Sequence, residues 1–184
     1  MRIIAGKYRS RRLAAPPGMS TRPTSDRLRE TLFNVIASRV AGASFLDLYA
    51  GSGAVGLEAL SRGARSVTFV ERAQPALKTL RANLSALGIA QGFQIDTGAV
   101  GRFLRSERGD PFGVVFLDPP YDDSREYEST LDLLGSEAAG LLAPDAIVIA
   151  EHRRKQRLED GYRSLVRTRL LEQGDAALSF YRAG

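Results

Sequence analysis

Ala43-Ser44-Phe45-Leu46-Asp47-Leu48-Tyr49-Ala50-Gly51-Ser52-Gly53-Ala54-Val55-Gly56-Leu57-Glu58-Ala59-Leu60 decides the fold. The apolar lead-in Ala43 to Leu46 reads as a buried strand that delivers Asp47, and Ala54 to Leu60 reads as a helix. Strand, glycine turn and helix together form the phosphate- or nucleoside-binding corner of an open α/β sheet. Gly51 and Gly53 can take backbone angles closed to other residues, so a ligand can lie against the main chain. Gly56 would let the helix approach the strand closely. A glycine turn alone is as often a mere tight turn as a binding site, so the weight falls on two later features.

Glu71 ends the next apolar run, Val67-Thr68-Phe69-Val70, and lies 24 residues after Asp47. An acid about 20 residues on is the usual partner of ribose hydroxyls. Val114-Val115-Phe116-Leu117 then delivers Asp118-Pro119-Pro120-Tyr121. A double proline and an aromatic cannot continue a strand, but they make a rigid shelf at its end. Asp118 and the Pro119 carbonyl can accept both N–H bonds of a nucleobase amine, localising a lone pair otherwise delocalised into the ring. Tyr121 offers a face on which a base can stack. Ligands of open α/β sheets sit at the carboxyl ends of the strands, so Asp47 and Asp118 are expected on neighbouring strands of one rim.

The remaining pattern alternates. Strands are expected near 44–49, 65–71, 92–96, 112–118 and 145–150, and helices near 54–62, 74–87, 99–107 and 126–139. That order predicts a parallel sheet with helices on both faces. Tyr162 to Leu171 and Ala176 to Tyr181 are two strands so closely joined at Glu172-Gln173-Gly174-Asp175 that they must be antiparallel. At the N-terminus, Arg2-Ile3-Ile4-Ala5 and Arg11-Arg12-Leu13-Ala14 suggest a basic hairpin, closed through Gly6-Lys7-Tyr8-Arg9-Ser10 and broken at Pro16-Pro17-Gly18. Arg22-Pro23-Thr24 stays extended. Thr24 or Ser25 can cap a helix that carries Leu28, Leu32, Val35, Ile36 and Val40 on one face.

Charge is unevenly spread. Residues 1–40 hold nine basic and two acidic side chains, a net +7, whereas the other 144 hold 17 and 19, a net −2. The asymmetry suggests a polyanion-binding arm over residues 1–24 ahead of a catalytic domain over 25–184, with Arg2, Lys7, Arg9, Arg11, Arg12, Arg22, Arg27 and Arg29 turned toward the polyanion. Arg153-Arg154-Lys155 reads as a solvated face or, second to that, as a phosphate site, and His152, the sole histidine, as a solvated loop residue. Without cysteine there are no disulfides or thiolate sites, and one histidine makes a zinc or iron site an unfavourable expectation. No run of about 18 apolar residues and no apolar leader is present, so a cytoplasmic protein and, with no sign of a partner, a monomer are expected.

Asp47 to Gly53, Glu71 and Asp118-Pro119-Pro120-Tyr121, in that order, resemble the S-adenosylmethionine-dependent amino-methyltransferases, of which Asp-Pro-Pro-Tyr is the specific signature. Arg2 to Tyr8, Arg22 to Glu30, and the final strand pair with Gly174-Asp175 and Phe180-Tyr181 extend the resemblance over essentially all 184 residues. The whole chain is similar to the RsmD-type 16S rRNA guanine-N2 methyltransferases. The resemblance implies a Rossmann-like class I methyltransferase sheet of seven strands with the last antiparallel, plus the N-terminal hairpin and helix. It implies methyl transfer to the exocyclic amine of a guanine in 16S rRNA, on assembling 30S subunits that include ribosomal proteins. By resemblance, Asp47, Gly51 and Gly53 hold the methionine half of the cofactor, Glu71 its ribose, and Asp118, Pro119, Pro120 and Tyr121 the guanine. Tyr49 is either a core residue or part of the cofactor mouth. Many relatives carry an acid by the adenine where this chain has Ala99, with Asp96 three residues early. Main-chain N–H groups at Ala99 or Val100 are the substitute.

Three other readings remain open. An adenine-N6 DNA methyltransferase shares the Asp-Pro-Pro-Tyr chemistry but usually adds a target-recognition domain for which this chain has no room. A nucleotide-binding dehydrogenase leaves Asp118 to Tyr121 idle. A non-catalytic RNA-binding assembly factor would not need Asp118 for any reaction.

Overall fold

The computed structural model describes residues 1–16, 25–107, 109–120 and 124–184. Its centre is one sheet. β1 (Ser44–Leu48), β2 (Ser66–Val70), β3 (Phe93–Asp96), β4 (Phe112–Leu117) and β5 (Leu142–Arg153) run parallel, in the order β3-β2-β1-β4-β5. β8 (Ala176–Ala183) pairs antiparallel with β5, and β7 (Leu165–Gln173) and the two-residue β6 (Gly161–Tyr162) continue the sheet outward. The expected seven strands with an antiparallel last strand are present; the short β6 makes eight. It arises because Arg163 turns the chain at φ 57°, so Tyr162 pairs back on Leu165 and cannot belong to β7.

The helices are α1 (Asp26–Val35), α2 (Ala37–Val40), α3 (Ala54–Ser61), α4 (Gln74–Leu87), α5 (Val100–Ser106) and α6 (Ser124–Leu134). Ser25 is the α1 cap: its Oγ accepts from Leu28 N at 3.1 Å. The apolar stripe of the first helix is interrupted at Ile36, where the backbone leaves helical geometry, but Leu28, Leu32, Ile36 and Val40 are all buried. Two cores lie on opposite faces of the sheet's strands. One gathers Phe33, Phe45, Leu57, Phe69 and Leu80; the other Leu46, Leu48, Leu104, Tyr127 and Leu131. Gly56 is required where α3 crosses β2. A Cβ there would overlap the Phe69 ring and lie 2.8 Å from Val67 Cγ1.

The N-terminal hairpin is docked firmly on α3. Arg2 bridges Arg12, Ile3 N donates to Arg11 O at 3.0 Å, and Ile3 and Leu13 sit in the same core as Phe45. The main anchor is Glu58, fully buried and the sole charged residue of α3. Its carboxylate accepts from Ile4 N at 2.7 Å and Ala5 N at 3.0 Å, and pairs with Arg62 Nε at 2.7 Å and Arg29 Nε at 3.6 Å. The hairpin's turn is seated on Ser61, which receives Lys7 N through its carbonyl and Tyr8 N through its hydroxyl.

Arg29 therefore does not face RNA. Its side chain is fully buried, pairs with Asp26 at 2.9 Å and also bonds the Arg2 carbonyl. Arg29, Phe33 and Ile36 lie four and seven residues apart, so they share the inward face of the first helical segment. Arg11 is also engaged, donating to Ala86 O at 2.6 Å at the end of α4. Arg2, Lys7, Arg9, Arg12 and Arg27 are exposed, and Arg22 lies outside the described residues. His152 is not a solvated loop residue. It is 2% exposed because β5 runs on to Arg153 under β8, and its Nε2 lies 2.9 Å from Ser179 Oγ. Burial foremost lowers its pKa, which favours the neutral ring.

Removing one member of a buried charge network leaves the others uncompensated, typically at 3–5 kcal/mol. Glu58→Ala should therefore lower unfolding free energy by about 3–5 kcal/mol in urea titration, and speed hydrogen exchange at the Ile4 and Ala5 amides. A variant as stable as the parent, with those amides still protected, would contradict this anchoring.

Candidate active site

β1 and β4 are hydrogen-bonded neighbours whose ladder ends on the rung Leu48↔Leu117. Asp118 N still reaches Leu48 O at 3.4 Å. The turn after β1 and the Asp118-Pro119-Pro120 shelf after β4 therefore leave the sheet side by side. Glu71 joins them from β2, which flanks β1 on its other edge.

The turn is built to expose backbone. Tyr49, Gly51 and Gly53 have φ of 61°, 56° and 78°. The left-handed region costs a non-glycine residue about 1–2 kcal/mol, and Tyr49 is held there by its hydroxyl, which donates to Glu126 Oε1 at 3.1 Å and lies 2.6 Å from Thr130 Oγ1. Its hydroxyl is committed to α6, while the residue is half-buried at the rim. The two glycines differ. A Cβ on Gly53 would strike Leu80, whereas one on Gly51 would meet only Tyr49 O at 4.0 Å. Gly53 thus serves packing, and Gly51 opens onto free space where a ligand can lie.

Asp47 is 2% exposed, and its Oδ2 accepts from Gly56 N at 2.9 Å. The carboxyl ties the strand end to the first turn of α3, which fixes the curve of the glycine turn between them. Burial pushes its pKa up to about 8 against the bond from Gly56, with the Glu71 charge adding to the rise. Glu71 Oε2 accepts from Gly51 N at 2.8 Å and Oε1 from Ala73 N at 2.7 Å. Each oxygen keeps a second lone pair, so the carboxylate can brace the turn and still receive two hydroxyls. On the next strand, Asp96 is occupied: its Oδ1 accepts from Gly98 N at 2.7 Å and Arg102 Nη2 at 3.1 Å. Ala99 is exposed at the start of α5.

Asp118 is partly exposed at the mouth, and Pro119 is buried. Burial raises the Asp118 pKa well above the ordinary carboxylate range, and the charges of Glu151 and then Asp47 raise it further. Tyr127, fully buried on α6, holds the shelf from below. Its hydroxyl lies 2.9 Å from Glu151 O and 3.3 Å from Pro119 O, one proton shared between two acceptors. A carbonyl has two lone pairs, so Pro119 O retains capacity for a substrate N–H. Tyr121 lies outside the described residues.

Sequence reasoning missed the supports. Tyr127, Glu126 and Thr130 lie on α6, and Asn83, 2% exposed on α4, bonds Ser52 O at 3.0 Å and both polar groups of Ala14. Asn83 thereby joins the cofactor-type turn to the end of the hairpin. A polar residue three positions after Leu80 and four before Leu87, on the apolar face of the helix, was the available signal.

Comparison with known proteins places the chain. The family described as Conserved hypothetical protein 95 matches over residues 1–182. Ribosomal RNA small subunit methyltransferase D of Escherichia coli K12 is 41% identical over 151 residues, 82% of this chain and 74% of that protein. YlbH of Bacillus subtilis is 36% identical over 184 residues, 99% of this chain and 98% of that one. The solved structure of yhhF from Escherichia coli superposes with a TM-score of 0.85 at 36% identity, covering 100% of this chain and 97% of that chain.

A buried acid whose folded pKa is raised binds a proton that the unfolded chain releases. The stability it contributes is full below the unfolded value near 3.8 and is lost as pH rises through about 8. Urea midpoints of the parent should fall across that window, and Asp47→Asn, which keeps an acceptor for Gly56 N, should flatten part of the fall. Identical pH dependence in parent and variant would show that Asp47 titrates normally.

Proposed function

The chain belongs to the Conserved hypothetical protein 95 family, that of ribosomal RNA small subunit methyltransferase D, and on that premise we propose that it methylates the exocyclic N2 amine of a guanine in 16S rRNA within the assembling 30S subunit. At the coarser level it is an S-adenosylmethionine-dependent rRNA methyltransferase with a Rossmann-like fold. The observation that carries the finer reading is the shared rim: a backbone cradle at Gly51 and an amine-accepting shelf at Asp118-Pro119 leave adjacent, hydrogen-bonded strands.

The cradle fits the cofactor. Open space at Gly51 and the two Glu71 oxygens suit a chain and a ribose laid across the turn. S-adenosylmethionine supplies an electrophilic methyl group whose sulfonium is already a good leaving group. The protein's own task is then positioning, the largest rate contribution available to it. Asp118 and the Pro119 carbonyl accept the two N–H bonds of the guanine amine, which localises its lone pair and aims it at the methyl. Tyr127 keeps the Pro119 carbonyl in place, and Pro120 prevents the shelf from continuing as strand. The amine becomes acidic once methylated, and its proton passes to Asp118 or water. The target guanine is taken in an unstacked state, at a cost of a few kcal/mol if it starts in a stack. Exposed Arg2, Lys7, Arg9, Arg12 and Arg27 supply charge for rRNA phosphates.

The test is mass mapping of modified nucleotides in 16S rRNA from a strain lacking the gene, complemented with the parent or with Asp118→Ala. The parent should restore one N2-methylguanine. Asp118→Ala should lower methylation by at least about 10²-fold while S-adenosylhomocysteine binding is kept. Because the Asp118 pKa is raised, activity should climb with pH past the ordinary carboxylate range as the acceptor ionises. Restored methylation by Asp118→Ala, or a modification on another base, would overturn the reading.

A further inference from the structure

We propose that Arg154, Lys155 and Arg157, on the loop that follows β5, form a second phosphate-binding surface that holds the RNA next to the target guanine. The proposal rests on the rRNA-methylation reading above and concerns where the substrate lies on that same site.

The first observation is where the N-terminal basic hairpin is attached. Its turn, with Lys7 and Arg9, is fixed to Ser61 at the far end of α3. Gly53 begins that helix at the rim, so eight residues separate the two, about 12 Å at the helical rise. Most of the hairpin's fixed charge therefore lies down the side of the domain, away from the strand ends. The cations of the reaction rim have to come from elsewhere.

The second observation is the length of β5. Its ladder with β4 ends on the rung Leu117↔Ala150, yet it continues through Glu151 and His152 to Arg153, paired with β8 to the last residue. Three further residues carry the chain about 10 Å past that rung, in the direction in which Asp118 leaves β4. The β7–β8 turn then secures the loop, Arg154 N donating to Asp175 O at 2.8 Å. The following segment is Arg153-Arg154-Lys155-Gln156-Arg157, without an acid.

The third observation is how those side chains are disposed. Arg154, Lys155 and Arg157 are exposed and, among the described residues, form no ion pair. Arg153 is exposed as well, and its charge reaches the Tyr127 phenol under the Pro119 shelf. Gln156 turns the other way: its Oε1 and Nε2 are buried and, among the described residues, have no hydrogen-bond partner. Asp160 pairs with Arg167, and Asp175 contributes its carbonyl to Arg154 N. A surface with three outward cations on a loop anchored by strand pairing, beside the shelf that receives the base, suits the phosphates flanking a displaced nucleotide. Of the two sequence readings of Arg153-Arg154-Lys155, a solvated face and a phosphate site, the proposal takes the second.

The experiment measures binding of 16S rRNA against salt, and methylation kinetics, for the parent, for Arg154→Gln/Lys155→Gln/Arg157→Gln, and for a charge-matched control, Arg65→Gln/Arg105→Gln/Arg163→Gln, whose cations already face carboxylates. Each phosphate contact contributes roughly 0.7–0.9 to the slope of log K against log salt. The loop variant should lose about 2 from that slope and raise KM for RNA at least 10-fold, with S-adenosylhomocysteine affinity unchanged. The control should keep the parent slope. A loop variant with the parent slope and KM, or a control that loses as much as the loop variant, overturns the proposal. A parent that binds S-adenosylhomocysteine but methylates no rRNA overturns the functional reading itself, separately from the loop.

Discussion

The parallel pairing of β1 with β4 is the constraint on which the rest of the molecule depends. Their last rung, Leu48↔Leu117, releases two segments at one level and in one direction. One becomes a turn that presents backbone; the other becomes a shelf that presents a carboxylate and a proline carbonyl. If another strand lay between them, the same motifs would be separated by a further strand spacing of about 4.8 Å and could not serve one reaction. The sheet order is what turns two sequence motifs into a site.

Buried polar groups hold the rim in shape. Asp47 closes the curve from strand to helix, Glu71 braces the turn through Gly51 N, and Tyr127 steadies Pro119 and Glu151. Tyr49 spans from the turn to α6, so the helix that follows the shelf is tied to the cofactor side as well. Glu58 and Asn83 do the same for the hairpin, one at the flank of α3 and one at Ser52. Asp47 and Asp118, raised in pKa first by burial and then by neighbouring carboxylates, share a low-dielectric setting in which proton acceptance is more favourable than in water.

Much of this was legible in the sequence because strand period, glycine turns and proline breaks are local signals. The five parallel strands were each found within a few residues, and the antiparallel pair at the C-terminus followed from its short connection. What escaped depended on tertiary partners. Arg29 looked like one cation among many in a basic segment; only the buried carboxylate of Glu58, on a distant helix, explains why it points inward. His152 looked like a loop residue because nothing local indicates that β5 continues beneath β8. In each case the residue type was read correctly and its neighbours were invisible.

The central claim is that donor and acceptor share one rim. A crystal structure with S-adenosylhomocysteine bound tests it most directly. The account predicts ribose hydroxyls on Glu71, the amino-acid portion along Gly51, and the sulfur directed across the mouth at Asp118 and Pro119. A ligand seated away from the Gly51 turn, or with its sulfur turned from Asp118, would contradict it.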